Sequence, residues 1–389
     1  MEDKKITILT ISDHPLSPSG VGTQTRYFIE SMLNTGKYRF VCLGGAIKHE
    51  SYTPMKVEGF DDDWVIFPVD GYGTQQMVRS FLLNFKPDIV WFMTDPRFYG
   101  WLWEMENEIR SVAPMVYYHV WDNYPAPQFN RVWYESNDVV VAISKVTKEV
   151  VSKVAKDVEQ HYLPHAVNTE IFSKYPPEHV EKFKGESFQD EDKLTFFWNN
   201  RNARRKQSGS LIWWFKEYLD IVGHDKARLI MHTDPKDPHG QDLTTLMVTL
   251  GLINGEVMIS KEKLHPKHLA MMYNMADCTI NISDAEGFGL ATFESLSCET
   301  AVIGSQEVPY IYEDRISKED FLAAMVKFTE MSKEDRDRWG TMGRAHVLNN
   351  YSMESFAEKW DKILTDLNVR HGSWDTRKNY KSWEFSEVL

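Results

Sequence analysis

Two glutamates and the glycines between them form the segment of the sequence best suited to chemistry. Glu286 opens a glycine-bearing stretch, and Glu294 follows after seven intervening residues, about two turns into the next predicted helix. Glycines let the backbone approach a ligand closely, and the free amides at a helix N-terminus favour negative charge. Carboxylates accept hydrogen bonds from vicinal hydroxyls. The spacing favours a site for a phosphorylated, hydroxyl-rich ligand over an ordinary surface loop.

A second segment concentrates positive charge. Arg201, Arg204, Arg205 and Lys206 lie between a predicted strand, residues 194–198, and a predicted helix. Arginine offers a planar fork of donors and lysine a mobile point charge, so the pair suits a diphosphate. A solvated basic loop and a nucleic-acid contact are the alternatives.

A third segment pairs Gly20 with Gly22 after the first predicted strand, residues 6–11, where a helix opens. Such a turn can bind phosphate. Two glycines do not make the three-glycine dinucleotide fingerprint, so a flexible turn is the alternative.

The elements that must position these residues alternate regularly between strand and helix. Buried apolar runs predict strands at 6–11, 39–43, 89–93, 115–118 and 139–143, and then at 194–198, 228–232, 257–260, 278–282 and 301–304. Helix-length amphipathic stretches separate many of them. Two such series predict an α/β protein with two doubly wound parallel sheets.

Residues 175–192 are rich in proline, lysine and glutamate and predict a linker or surface loop between the halves. We place an N-terminal domain at 1–172 and a C-terminal domain at 173–364. A tail from about 365 to 389 is expected to pack back on the first domain. Three tryptophans, Trp360, Trp374 and Trp383, lie near the C-terminus. Docking of these side chains on this protein itself is favoured over docking on a partner.

Composition narrows the class of protein. Hydrophobic residues make up 42% of the 389 residues, which excludes overall disorder. The formal net charge of −13 argues against the global basic footprint of most nucleic-acid binders. Three cysteines far apart in sequence favour a reducing cytoplasm, and no apolar run is long enough for a membrane span.

The motifs resemble those of GT-B glycosyltransferases, especially family 4 of that classification. Residues 286–290 with Glu294 resemble the family's E-x7-E motif, and Arg201 with Lys206 resembles its paired cations. Residues 138–144, 162–172 and 273–277 resemble further family segments in the same order. The resemblance covers roughly residues 6–350 and is most specific in the C-terminal half.

Some positions depart from the family pattern and leave the choice of sugar open. They are His165, Ala166 and Asn168 in the crossover, Asn200 and Gln207 beside the cations, and Glu299 and Ala301 beyond the second glutamate.

The resemblance implies a GT-B architecture of two Rossmann-like domains with an interdomain cleft. It implies a metal-independent, retaining transfer of a sugar from a nucleotide-diphosphate sugar, with no cofactor. The residues implied in donor binding are Gly20, Gly22, Arg201, Lys206, Gly287, Phe288, Gly289, Leu290, Ala291, Thr292 and Glu294. The implied catalytic group is Glu286, His119, Arg201 and Lys206, and weaker acceptor contacts are Trp121 and Asp122.

The sequence leaves the identity of the acceptor open. A glycan or lipid-linked glycan is favoured over a hydroxymethylated DNA base, and a peripheral membrane contact is compatible with either. A nucleotide-sugar epimerase and a catalytically inactive sugar-nucleotide-binding module are the rival functions. The acidic run Asp61–Asp63 is interpreted as a surface loop rather than a metal site.

Overall fold

The computed structural model describes residues 4–121, 123–188, 192–304, 306–307 and 314–380. Two compact units account for the chain. The first comprises residues 1–166 and 353–389, and the second comprises residues 167–352.

The first unit is built on an eight-stranded sheet with the order β3-β4-β2-β1-β5-β6-β7-β8. Every neighbouring pair is parallel except β3 with β4. Its strands are β1 (Ile6–Asp13), β2 (Tyr38–Gly45), β3 (Met55–Lys56), β4 (Trp64–Pro68), β5 (Ile89–Thr94), β6 (Met115–His119), β7 (Val139–Ala142) and β8 (Glu159–Tyr162). Its helices are α1 (Gly20–Leu33), α2 (Gln75–Phe85), α3 (Gly100–Trp103), α4 (Glu106–Arg110), α5 (Arg131–Glu135), α6 (Lys145–Val154) and, later in the chain, α14 (Met353–His371).

Aromatic packing fixes α14 to the first unit. Trp360 of α14 is fully buried, with its ring 4.8 Å from Phe28 of α1 and 5.1 Å from Tyr118 of β6. Further on, Trp374 donates its indole N–H to the carbonyl of Pro87 at 3.0 Å. Two of the three C-terminal tryptophans therefore dock on this chain, and Trp383 lies outside the described residues.

The second unit is built on a five-stranded parallel sheet with the order β11-β10-β9-β12-β13. Its strands are β9 (Leu194–Asn199), β10 (Ala227–His232), β11 (Val257–Ser260), β12 (Cys278–Asn281) and β13 (Ala301–Gly304), and the short β14 (Gln306–Glu307) and β15 (Asp314–Arg315) form a separate antiparallel pair. Its helices are α7 (Pro177–Ser187), α8 (Ser208–Val222), α9 (Leu243–Thr249), α10 (Pro266–Met275), α11 (Leu290–Ser297), α12 (Lys318–Glu330) and α13 (Lys333–Tyr351). The doubly wound α/β prediction is confirmed for both halves.

The segment predicted as a linker, residues 175–192, is instead largely helical. Helix α7 begins at Pro177, a position where proline's missing N–H costs nothing. Val180 and Phe183 pack against the core on one face of the second sheet. The core covers only a narrow stripe of α7, and charged residues occupy most of the rest of the helix. The amphipathic pattern that would predict a helix is therefore weak in this segment.

The unit boundaries lie earlier than the sequence placed them. Val167 already belongs to the second unit, since its amide donates to the carbonyl of Tyr351 at 2.9 Å. Phe172 packs in the same core. The chain rejoins the first unit at Met353, where α14 starts, rather than near residue 365, because Trp360 is a core residue of that unit.

Candidate functional site

Polar side chains collect where the parallel strands of the second sheet end. In open α/β sheets, this carboxyl edge is where ligands bind. Asn199, His232 and Asn281 terminate three of the strands. Just beyond two of them, Asn200 Nδ2 and Thr233 Oγ1 are buried and have no hydrogen-bond partner among the described residues. A buried polar group without a partner is costly, so this edge retains unused hydrogen-bonding capacity.

Glu286 lies at this edge in a dense set of donors. Lys206 Nζ forms an ion pair with Glu286 Oε1. Ser283 Oγ donates to the same oxygen at 2.9 Å, and an Arg205 NH1 lies 3.8 Å from Oε2. Lys206 is buried, so its charge is little screened by water. The structure thus brings together two residues that stand 80 positions apart.

Two loops hold this ion pair in place. The amide of Asp284 donates to the carbonyl of Arg205 at 2.8 Å, and Gln207 Nε2 donates to the Asp284 carboxylate at 2.6 Å. Gln207 adopts a left-handed backbone with φ 56°, which a residue other than glycine adopts only at a cost. The hydrogen bond to Asp284 offsets that cost and joins the cation loop to the Glu286 loop.

Helix α11 starts directly beside Glu286. Gly289 has φ 81°, a left-handed conformation that suits glycine and turns the chain into the helix. The amide of Thr292 is bonded to the carbonyl of Gly289 at 2.9 Å, so within the described part of the chain Leu290 and Ala291 supply the free amides of the first turn. Those amides and the helix dipole can bind an anion.

The predicted residues around this turn have different surroundings. Phe288 packs its ring 4.7 Å from Phe293 and 5.4 Å from Tyr351, so it anchors the loop. Thr292 Oγ1 accepts a hydrogen bond from Asn281 Nδ2 at 3.0 Å. Phe288 and Thr292 therefore fix the shape of the turn that leads into α11.

Glu294 is held by a tyrosine that the sequence did not single out for this purpose. Tyr273 of α10 donates its hydroxyl to Glu294 Oε2 at 2.9 Å, and the same hydroxyl accepts from Asn199 Nδ2 at 2.9 Å. Burial raises the pKa of the Glu294 carboxyl to about 7, while the Tyr273 hydrogen bond acts in the opposite direction.

Arg201 does not join the Glu286 cluster. Its Nε donates to Asp237 Oδ2 at 2.6 Å, and an NH2 lies 2.7 Å from His239 Nδ1. Hydrogen bonding from Arg201 lowers the pKa of the Asp237 carboxyl. The side chain is 61% exposed, so Arg205 is the arginine nearest Glu286 in this structure.

In the first unit, Gly20 and Gly22 lie at the start of α1, after the carboxyl end of β1. Ser19 caps the helix by accepting from the Gly22 amide at 2.9 Å and donates to Asp13 Oδ2 at 2.6 Å. A Cβ on Gly22 would come within 2.3 Å of Ser17 Oγ and 2.7 Å of the carbonyl of His14. Packing alone therefore requires glycine at 22. Asp13 was not predicted, because one aspartate after a strand carries no distinctive spacing.

His119 ends β6 and is fully buried. Its Nδ1 lies 3.0 Å from the hydroxyl of Tyr117, and its Nε2 lies 2.8 Å from the hydroxyl of Tyr134. Burial lowers the pKa of its imidazole to about 3, so the ring is neutral. Both ring nitrogens therefore have a tyrosine hydroxyl as partner, and the predicted catalytic role of His119 stays a prediction.

The two weaker acceptor candidates follow His119. Trp121 is partly buried and donates its indole N–H to the carbonyl of Asn123 at 2.7 Å. Its ring lies 6.2 Å from that of His119. Asp122 lies outside the described residues.

Asp61–Asp63 form a short 3₁₀ turn in which lysines neutralise the charge. Asp62 pairs with Lys56 at 2.6 Å and Asp63 with Lys5 at 2.5 Å. In the described ranges, no three histidine, cysteine, aspartate or glutamate side chains come together as a metal site would require. Among those residues, no helix combines the length and apolar character needed to cross a bilayer.

Comparison with known proteins gives a uniform result for the fold. A sucrose-phosphate synthase from Thermosynechococcus elongatus superposes with a TM-score of 0.76 at 14% identity, covering 94% of this chain and 100% of that one. A glycosyltransferase from Rickettsia africae gives 0.72 at 17% identity, covering 94% and 99%. HepE from Anabaena, solved with UDP and glucose, gives 0.69 at 11% identity, covering 93% and 100%.

These similarities define the chain as a GT-B fold protein with two Rossmann-like domains, and the GT-B prediction is confirmed. No family model matches the sequence, and no curated protein matches it. At such low identity, the structural similarity establishes the fold alone.

Proposed function

We propose that this protein is a retaining glycosyltransferase that moves a sugar from a nucleotide-diphosphate sugar to a hydroxyl acceptor. The observation that carries the proposal is the Lys206–Glu286 ion pair beside the free amides of α11. Cation, amides and carboxylate together match a sugar diphosphate, because the diphosphate needs donors and the sugar hydroxyls need acceptors.

Lys206 is proposed to bind the donor diphosphate and to stabilise the charge that grows as it leaves. An ammonium group has three donors, so Lys206 can keep its bond to Glu286 while it contacts a phosphate oxygen. The amides of Leu290 and Ala291 add donors on the adjacent side. Arg205 strengthens the local positive potential, and Arg201 contributes if it exchanges Asp237 for phosphate.

The two glutamates have separate proposed roles. Glu286 accepts hydrogen bonds from hydroxyls of the transferred sugar, and Glu294, two turns along α11, accepts from the ribose hydroxyls. Glu286 is not proposed as a nucleophile, since Lys206, Ser283 and Asn281 already converge on one of its oxygens.

The proposed reaction proceeds by front-face attack. The bond between the anomeric carbon and the diphosphate oxygen breaks, the acceptor oxygen forms the new bond on the same face, and its proton passes to the leaving phosphate. Cationic side chains and helix amides supply the charge stabilisation, so no metal or cofactor is proposed. Turnover should therefore be undiminished in excess EDTA, and full loss restored by manganese would contradict this point.

A glycan or lipid-linked glycan is the proposed acceptor, with Trp121 and Asp122 as proposed contacts and Gly20–Gly22 as a proposed phosphate contact. The net charge of −13 favours this class over hydroxymethylated DNA.

A crossed panel tests the proposal. Purified protein is incubated with UDP-, ADP- and GDP-sugars and with glycan, small-molecule and hydroxymethylated-DNA acceptors, and products are identified by mass spectrometry. Transfer of one sugar with retained anomeric configuration is expected. Epimerised donor without transfer, or no turnover with any donor, would favour the rival functions and contradict the proposal.

A further inference from the structure

Tyr273 has a fully buried ring and a hydroxyl aimed at the candidate site. A tyrosine hydroxyl has a single proton to donate. Because Asn199 Nδ2 is itself a donor, its 2.9 Å contact obliges the Tyr273 oxygen to accept there. The proton of Tyr273 is therefore directed at Glu294 Oε2, 2.9 Å away.

The hydrogen bonds from Asn199 to Tyr273 and from Tyr273 to Glu294 orient the Glu294 carboxylate and favour its ionised form. The three residues lie on three separate elements. Asn199 ends β9, Tyr273 lies on α10 and Glu294 on α11. Tyr273 occupies one oxygen of Glu294, and no hydrogen bond from the described residues occupies the other, which is thus available to a ligand. No lysine or arginine in the described part of the chain forms an ion pair with Glu294, so the Tyr273 hydrogen bond is the contact that opposes the effect of burial on its charge.

The charged and titratable groups around Glu294 are few. Helix α10 contributes Tyr273, the end of α11 contributes the buried thiol of Cys298, and α13 contributes Arg344, which donates to the carbonyl of Ser297. Burial raises the pKa of the Cys298 thiol, so that group is neutral in the physiological range. The strands β12 and β13 carry no charged residue.

We propose that Tyr273, oriented by Asn199, is a positioning residue that turns Glu294 toward the ribose and favours its ionised form, and that it thereby sets how donor binding depends on pH. The inference rests on the proposed function and deepens it. The contact concerned is the one already proposed between Glu294 and the vicinal ribose hydroxyls, which donate to a carboxylate more strongly than to a neutral carboxyl group.

The sign of the pH effect follows from the chemistry. With the pKa of Glu294 at about 7, the ionised fraction rises about tenfold between pH 6 and pH 8. Affinity for a ribonucleotide should rise over that interval. Removing the Tyr273 hydroxyl removes a contact that lowers the pKa, so the midpoint should move to higher pH.

The test compares UDP, ADP and GDP with their 2′,3′-dideoxy counterparts, by titration calorimetry from pH 5.5 to 8.5. The dideoxy ligand carries the same titrating phosphates, so the ratio of the two affinities isolates the ribose contact. Wild type, Tyr273→Phe and Tyr218→Phe are measured in parallel. Tyr218 is a matched control, because it is also buried in the second unit but its hydroxyl contacts Thr329, at 2.7 Å.

In the wild type, the preference for the ribonucleotide is expected to increase with pH around a midpoint near 7. In Tyr273→Phe, the preference for the ribonucleotide should fall about three- to tenfold at pH 7, which is the size expected for one hydrogen bond. The preference should recover at higher pH. Tyr218→Phe should match the wild type. A pH-independent preference, or equal behaviour of the two variants, would overturn this inference alone. Failure of all three nucleotides to bind the wild type would overturn the proposed function as well.

Discussion

The carboxyl edges of the two sheets carry similar residue types but use them differently. In the first unit, His119 is enclosed by two tyrosine hydroxyls, and Asp13 accepts from Tyr72 and Ser19. In the second unit, Asn200 and Thr233 keep buried polar atoms without partners within the described ranges. Within the same ranges, Asn130 Oδ1 of the first unit also lacks a partner, next to the Tyr134 hydroxyl that contacts His119. Satisfied side chains stabilise a fold, whereas unsatisfied ones directly after parallel strands, as Asn200 and Thr233 are after β9 and β10, favour a site.

Burial has opposite consequences for the titrating groups of the two edges. It lowers the pKa of His119 to about 3 and raises that of Glu294 to about 7. Only the second lies in the range where an enzyme can use a change of charge. We therefore expect the donor chemistry in the second unit and a mainly structural role for His119.

Loss of Lys206 is expected to have the largest effect. Lys206→Ala should lower turnover by about 100-fold or more, comparable to losing one preorganised donor to a developing charge. Steady-state kinetics with the donor found in the panel would measure it. Lys216→Ala, which removes a partly exposed lysine paired with Asp220 on α8, is the control and should leave turnover unchanged.

Substitutions of Glu286 and Glu294 should change different kinetic constants. Glu286→Gln is expected to lower kcat more than it raises KM, because the sugar ring gains positive charge in the transition state. Glu294→Gln should mainly raise the KM for the donor. Both are measured against donor concentration at pH 8, and equal effects on kcat alone would show that the sugar has been misplaced.

Substitutions of Arg201 and Arg205 test whether the sequence motif or the geometry of the structure identifies the arginine that binds phosphate. The sequence resemblance implicates Arg201, whereas Arg205 lies nearer Glu286 in the structure. We expect each alanine variant to weaken nucleoside diphosphate binding by about tenfold, the range of a charge-assisted hydrogen bond. If Arg201→Ala leaves affinity unchanged while Arg205→Ala lowers it, the assignment of Arg201 to phosphate is wrong.

Replacing His119 tests whether this residue stabilises the fold of the first unit rather than taking part in catalysis. His119→Phe should cost about 1–3 kcal/mol of unfolding free energy, because the two tyrosine hydroxyls lose a buried partner. The kcat of the folded protein should change little. Chemical denaturation and kinetics on the same preparation would decide it, and a loss of kcat far beyond the loss of folded protein would restore His119 to the catalytic set.

The last expected effect is on how the stability of the fold depends on pH. Since the pKa of Glu294 is raised from 4.5 to about 7, the folded state binds this proton more tightly than the unfolded state. The resulting stability is present below pH 4.5 and is lost as pH rises to 7. Glu294→Gln cannot ionise, so its Tm relative to the wild type should increase between pH 5 and pH 8 in thermal scans. A constant difference would mean that the carboxyl is not desolvated.

Much of the fold could be predicted from the sequence, because buried parallel strands are continuous apolar runs. Strands β3 and β4 were missed, the first because it has only two residues and the second because buried and half-buried residues alternate along it. Strand β8 was missed, since its residues Glu159–Tyr162 are polar and only half-buried. Helix α7 was missed because its covered stripe is narrow.

The site was predictable only in part. Glycines and charges between strands and helices revealed the Lys206 and Glu286 loops. Sequence alone did not reveal that Arg201 turns to Asp237 or that Tyr273 contacts Glu294, since such contacts depend on side-chain rotamers and helix packing.

Nucleoside diphosphate binding to the isolated protein tests the central claim most directly. Titration calorimetry with UDP, ADP and GDP in the presence of EDTA would be performed on the wild type, Lys206→Ala and Lys216→Ala. The account predicts that one nucleotide binds the wild type and Lys216→Ala equally, and that Lys206→Ala loses at least tenfold in affinity. Equal affinity of the wild type and Lys206→Ala would contradict a diphosphate site at the carboxyl edge of the second sheet.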